Sequence, residues 1–155
     1  MTGVQTCALP IYVLGIALAV TVVDQLTKYA IHQAMVLHES IPVIPGFFHI
    51  TYILNRGAAF GILENQQWLF LVMALALFLL YGLFRKKLPA TPWVYGGAGL
   101  LLGGALGNAL DRTLRGAVTD FFDFRIWPVF NVADIGIVVG VALLLWYSWT
   151  HISDK

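Results

Sequence analysis

The sequence predicts an all-α integral membrane protein, a four-transmembrane-helix bundle with a small extracytoplasmic β-sheet rim between helices one and two. Three observations carry that expectation. The chain of 155 residues is 59% hydrophobic and only 11% charged, with a mean hydropathy of +0.81, far above that of a soluble domain. The charges stand in a few islands between uncharged blocks. A hydrocarbon core of about 30 Å takes roughly 17 to 25 apolar residues per helix, so a chain this short crosses about four times with little left over. Residues 1–155 therefore read as a single membrane domain. A net charge of +1 and the lack of a basic run argue against nucleic acid as a partner. Cys7 is the only cysteine, which excludes an intrachain disulfide and a cysteine metal cluster.

The expected spans are approximately 9–30, 68–84, 93–110 and 130–150. The first is apolar from Leu9 to Val23 and continues as a helix through Asp24, Thr27 and Lys28. It lacks a basic n-region, and charges occupy the place of a small-residue cleavage site, so it reads as a retained helix rather than a signal peptide. The opening string, Met1 to Pro10, carries no functional reading, Cys7 included. The second span has no charge and carries Trp68 and Tyr81 near its ends, as interfacial anchors do. The third follows Pro89 and Pro92, and the fourth ends among Trp146, Tyr147 and Trp149. Between the first two lies segment 32–67. Its prolines (Pro42, Pro45) break any helix, and the β-branched and aromatic run from Phe47 to Leu54 favours short strands on the membrane face. Asn55-Arg56-Gly57 then reads as a turn, and Ala58-Ala59-Phe60-Gly61 is too short to span.

The unpaired cluster Arg85-Lys86-Lys87 beside a helix end marks the cytoplasmic side, which places both termini there too. The opposite face mixes Lys28, Arg56, Arg112, Arg115 and Arg125 with seven acids and faces outward. Gly99, Gly103 and Gly107 recur at four-residue spacing on span three, as do Gly136 and Gly140 on span four. Small-residue rows of this kind let two helices approach closely, and would bring the outward ends of these spans together.

Those ends carry acids. Asp120 and Asp134 flank a short aromatic-rich connection, and carboxylates at that place suggest an aspartic hydrolase working at a membrane surface. An uncompensated Asp at the centre of a membrane helix costs about 2.5 to 3.5 kcal/mol, so such acids are paired, solvated or functional. Asn108, Asp111 and Arg112 share a helical face, which also fits a self-satisfied acid and base with an amide between neighbours. Asn131 and Asp134 are spaced for capping at a helix start, where the dipole favours a carboxylate. Asp24 and Lys28 are spaced as an intrahelical ion pair. His32, His38, His49 and His151 read as surface or interfacial residues, with no metal spacing among them.

Five blocks in chain order resemble the motif set of lipoprotein signal peptidase, the type II signal peptidase of bacteria. They are Asp24-Gln25-Leu26-Thr27-Lys28, Asn55 to Gly61, Gly107-Asn108-Ala109-Leu110-Asp111-Arg112, Val118-Thr119-Asp120-Phe121 and Phe130-Asn131-Val132-Ala133-Asp134. The resemblance spans nearly the whole chain after Pro10. It implies a multi-pass aspartic endopeptidase of the bacterial cytoplasmic (inner) membrane that cleaves diacylglyceryl-modified prolipoproteins on the amino side of the lipidated cysteine. It implies Asp120 and Asp134 as the catalytic pair, with Asp111 the competitor. Asp24, Lys28, Asn55, Arg56, Asn108, Asp111, Arg112 and Asn131 become supporting or substrate-binding residues. Asp111 has a cation adjacent in sequence, whereas Asp120 stands between apolar residues that raise a carboxyl pKa, as a proton-carrying acid requires. The connection from Phe121 to Phe130 is shorter than in many relatives, which alters the rim of the substrate entrance. The expected partners are the lipidated precursor and membrane lipid, the expected state is a monomer with its site near the outer face, and no cofactor or metal is expected. Two other classes remain: a small transporter or proton relay built on the same acids, and a purely structural subunit.

Overall fold

The structure is a computed structural model, and it describes residues 5–57 and 62–152, with side chains over 11–57 and 62–151. The Ala58-Ala59-Phe60-Gly61 part of the second motif block lies outside the described residues, as do Met1 to Val4; Cys7 lies outside those with described side chains.

Four long helices run alternately up and down: α1 (Gln5–Ala34), α2 (Gln67–Phe84), α3 (Pro92–Arg115) and α4 (Val132–Ile152). Three contain stretches long and apolar enough to cross a membrane, Ile11–Ala34, Gln67–Lys87 and Val132–His151. Only Ala74 of α2 is fully buried, and many of its large apolar side chains, Leu75, Leu79, Leu80 and Leu83 among them, face outward. An all-round apolar helix of this kind is stable in lipid, where its backbone bonds are all internal. α3 has a different composition, with six glycines from Gly96 to Gly107 and a polar final third. It is the central helix, packed against α1, α2 and α4. Thr91 caps its start, accepting from Val94 N–H, with Pro92 in the first turn, and Gly116 ends it in the left-handed conformation (φ +70°).

The glycines of α3 form two rows, which corrects the sequence reading. Gly99 and Gly103 face α1: a Cβ at Gly103 would come 2.6 Å from the Ala17 carbonyl oxygen. The row that meets α4 is Gly97 and Gly104, and a Cβ at Gly104 would lie 2.3 Å from the Ala133 carbonyl oxygen. Gly140 answers from α4, opposite Gly97 and Leu101. A four-residue repeat reveals one face of a helix, and α3 needs small residues on two because it has neighbours on both.

The sheet also differs from expectation. β1 (Ser40–Ile44) and β2 (Phe48–Asn55) form the hairpin expected between α1 and α2, turning at Gly46. A third strand, β3 (Val118–Asp123), pairs antiparallel with β2, giving the order β1-β2-β3. The rim is therefore not confined to the segment between the first two helices. Asp120 lies on β3, opposite Ile53, rather than on the end of a helix. After β3 the chain folds back: Phe122 and Phe130 exchange backbone hydrogen bonds. That return sets Asn131, and with it the start of α4, beside Asp120.

Candidate active site

Asn131 and Asp134 form a reciprocal cap on α4. The Asn131 Oδ1 accepts from Asp134 N–H (2.9 Å), and Asp134 Oδ2 accepts from Asn131 N–H (3.1 Å). Two of the amides that a helix start leaves unpaired are thereby satisfied. The same Asn131 also reaches the other acid, its Nδ2 donating to Asp120 Oδ1 at 2.7 Å. Asp120 Oδ2 accepts from Asn55 Nδ2 (3.0 Å), and Asp134 Oδ1 from Asn108 Nδ2 (2.8 Å). Three asparagines from three elements thus present donors to two carboxyl groups. The cap and the contact to Asp120 are made by the same asparagine.

Both acids line a cavity of about 400 Å³ between α2, α3 and α4. Its wall is mostly apolar, with Phe70, Met73 and Leu77 from α2 and Ile137 from α4, and Trp127 and Pro128 stand at its rim. Burial first, and the neighbouring Asp134 carboxylate second, push Asp120 up to about 7, against the donations from Asn55 and Asn131. An ordinary carboxyl would be ionised at that pH; this one is poised near half-protonation.

Beneath the pair lies a buried charge cluster. Lys28 is fully buried, and its ammonium meets Asp24 Oδ2 (2.8 Å), Asp111 Oδ2 (3.0 Å) and Asn108 Oδ1 (3.1 Å), one acceptor for each of its three hydrogens. The expected Asp24 and Lys28 pair is present, extended to a third partner. Asp111 does not pair with Arg112, contrary to the sequence reading; its cations are Lys28 and Arg115. Position on the helix decides this, since Arg115 is one turn further along the same face. Arg112 turns toward the cavity instead, with its guanidinium over the Phe70 ring (4.2 Å) and one nitrogen donating to the Gly57 carbonyl (3.2 Å). Its buried Nε has no partner among the described residues.

The two supporting acids also grip the backbone. Asp24 Oδ1 accepts from Ala133 N–H (2.9 Å), the amide just before Asp134. Asp111 Oδ2 accepts from Thr119 N–H (3.0 Å), the amide just before Asp120. The cluster has two cations and two carboxylates, so its charges balance, which a buried ionic network requires. Gln25, missed by the sequence reading, ties it together by donating to Asp24, Asp111 and the Gly107 carbonyl. Its only signal was its place inside the Asp24 to Lys28 block.

A family model described as signal peptidase (SPase) II matches residues 16–150. The chain belongs to the signal peptidase II family. Among curated relatives, the lipoprotein signal peptidase of Halothermothrix orenii is 45% identical over 134 residues, covering 86% of this chain and 92% of that protein. That of Pelotomaculum thermopropionicum is 49% identical over 138 residues, covering 88% and 90%. A solved structure described as a bacterial membrane enzyme superposes with a TM-score of 0.86 at 36% identity, covering 92% of this chain and 90% of that one.

The blocks that carry the signal peptidase II resemblance converge in space. Asp24, Lys28, Asn55, Asn108, Asp111, Asn131 and both candidate acids form one connected hydrogen-bond network. Arg56 is the exception: it is exposed, and its described contacts run through its carbonyl, which accepts from Asn65 N–H and the Gln67 side chain. His38 and His151 are exposed, His49 is half-buried, and His32 reaches Thr119. Among the described residues no three His, Cys, Asp or Glu side chains are placed to hold a metal ion.

Proposed function

We propose that this chain is the aspartic endopeptidase that removes the signal peptide from diacylglyceryl-modified prolipoproteins, cutting on the amino side of the lipidated cysteine. One observation carries the reading: two carboxyl groups, from β3 and α4, meet at one apolar cavity through a shared asparagine. Two like charges that close resist joint ionisation, so one proton is held between them. Asp120, buried and raised to about 7, is the group that holds it. Asp134, its oxygens oriented by the Asn108 side chain and the Asn131 N–H, is then left as the base. Asp134 takes a proton from water as that water attacks the scissile carbonyl, and Asp120 gives its proton to the carbonyl oxygen. The tetrahedral intermediate then collapses, and the leaving amine takes a proton from the pair.

The mostly apolar wall of the cavity suits an extended hydrophobic peptide whose acyl chains stay in the bilayer. Arg112, with its unpartnered Nε at the cavity, is placed to bind a substrate carbonyl; Asn55, Asn108 and Asn131 set the acids, Asp24, Lys28 and Asp111 set the backbone, and Arg56 serves the rim. We read α3 as a fourth span shielded by its neighbours, within one membrane domain that works as a monomer without a cofactor. Arg85-Lys86-Lys87 and both termini then lie in the cytoplasm, and the site lies near the outer face of the inner membrane. The test is cleavage by the purified protein of a diacylated prolipoprotein beside its unlipidated form. Cleavage of the lipidated precursor alone is expected. Ion flux in proteoliposomes with no cleavage of either would overturn the proposal.

A further inference from the structure

The last turn of α1 carries His32 past the Lys28 cluster, and its Nε2 lies 2.8 Å from Thr119 Oγ1. We propose that His32 is a positioning residue that aims Asp120 through Thr119, and that it does so as the neutral imidazole. Thr119 is fully buried and directly precedes Asp120 on β3. Its N–H is held by Asp111 and its carbonyl accepts from Asn131 Nδ2 (3.2 Å). Those bonds fix the main chain at this point; the hydroxyl fixes its roll. Successive side chains on a strand point to opposite faces, so anchoring Thr119 on the α1 side aims Asp120 toward the cavity on the other. The ring itself is seated by Tyr52 of β2, with centroids 5.3 Å apart.

The protonation state follows from the donors. Among the described residues the Thr119 hydroxyl has no acceptor other than His32 Nε2, so its hydrogen points there and Nε2 must keep its lone pair. The charges facing the ring are Arg115 and Asp111 on α3 and Lys28 on its own helix. A protonated ring would put a donor against the hydroxyl, strand the hydroxyl hydrogen in a buried site, and add a cation beside two others. The strand then loses its anchor on the acid side of the imidazole range.

This inference rests on the assignment of Asp120, and the experiment separates the two. Cleavage of a diacylated prolipoprotein is followed for the full chain and for His32→Leu, His32→Gln, Thr119→Val, His32→Leu with Thr119→Val, and Asp120→Asn. His32→Leu and Thr119→Val each lower kcat about tenfold with KM nearly unchanged, a cost typical of a small misplacement of a reacting group. The double variant falls no further than the worse single one, because both remove the same link. His32→Gln, whose amide oxygen accepts the hydroxyl hydrogen, keeps most of the activity. It also loses the acid-side decline that the wild type shows as the His32 ring takes up a proton. Wild-type kcat in both single variants, or losses that multiply in the double, overturns the proposal. If His32→Leu does not accumulate, an unchanged acid limb in His32→Gln does so. Cleavage by Asp120→Asn overturns instead the catalytic pair on which it rests.

Discussion

Gly107 sits where α3 passes the buried charge cluster, and replacing it with Ala probes the whole arrangement. A Cβ there would stand 2.5 Å from Asp24 Oδ2, 3.1 Å from Asp24 Cγ and 3.3 Å from Ala133 Cβ. Non-bonded heavy atoms settle at about 3.5 Å or more, so Asp24 must retreat by about 1 Å. It is not free to do so, because Lys28, Gln25 and Ala133 N–H all hold it. Overpacking costs about 1 to 3 kcal/mol, and breaking a buried ion pair about 3 to 5. The helix preference of Ala over Gly returns only about 1 kcal/mol. The net loss is about 0 to 2 kcal/mol if the clash is absorbed as overpacking and about 2 to 4 kcal/mol if it is relieved by breaking the ion pair. Retreat of Asp24 also releases Ala133 N–H and lets the start of α4 drift, so cleavage falls at least about tenfold. Gly96→Ala on the same helix is the control, since a Cβ there meets nothing within 4 Å. Thermal unfolding in detergent and cleavage of a lipidated precursor give the two readouts. Gly107→Ala as stable and as active as Gly96→Ala would refute the reasoning.

Three further outcomes follow from the same geometry. Asp120 is raised to about 7, so its proton is present below that pH and is lost as pH rises through it; kcat therefore falls on the basic side. Asn55→Ala removes a donor that favours the carboxylate, and the pH profile should show that basic limb moved upward; a limb that stays or moves down contradicts the role. Arg112→Lys loses the planar fork that stacks on Phe70 and reaches Gly57, so steady-state kinetics should show KM raised about tenfold with kcat nearly kept. Asp24→Asn leaves the buried Lys28 ammonium undercompensated and costs about 3 to 5 kcal/mol. Asp123→Asn loses an ion pair whose Arg125 partner is half-exposed and strands no buried cation, so it costs less. Unfolding midpoints in that order are expected, and equal midpoints would count against the cluster.

The parts of this protein written in local spacing were legible in its sequence. Helices α1, α2 and α4 announce themselves by length and apolarity, and the run from Phe47 to Leu54 by its β-branched and aromatic residues. Asp24 with Lys28, and Asn131 with Asp134, are each fixed by one helical turn. What escaped depends on neighbours far away in the chain. β3 is buried on both faces, so Val118 to Asp123 shows no polar and apolar alternation to mark a strand. The partner of Asp111 is decided by which α1 residue faces it, and spacing along α3 pointed to Arg112 although Lys28 and Arg115 are the cations. The double glycine row of α3 mixes two periods, and only the more regular one stands out in the sequence. Thr119 carried no role of its own inside its motif block, yet all three of its polar groups are engaged.

The central claim is that Asp120 and Asp134 share the catalytic work while Asp111 only supports them. Its most direct measurement is the single-turnover rate of cleavage of a diacylated prolipoprotein by Asp120→Asn, Asp134→Asn and Asp111→Asn, each purified from membranes at wild-type yield. The first two should show no cleavage at any pH while keeping the wild-type unfolding midpoint. The third should retain measurable cleavage with a lowered midpoint, because Asp111 holds Lys28 and the Thr119 amide rather than substrate. Full processing by either of the first two variants, or a stable but inactive Asp111→Asn, would contradict the account.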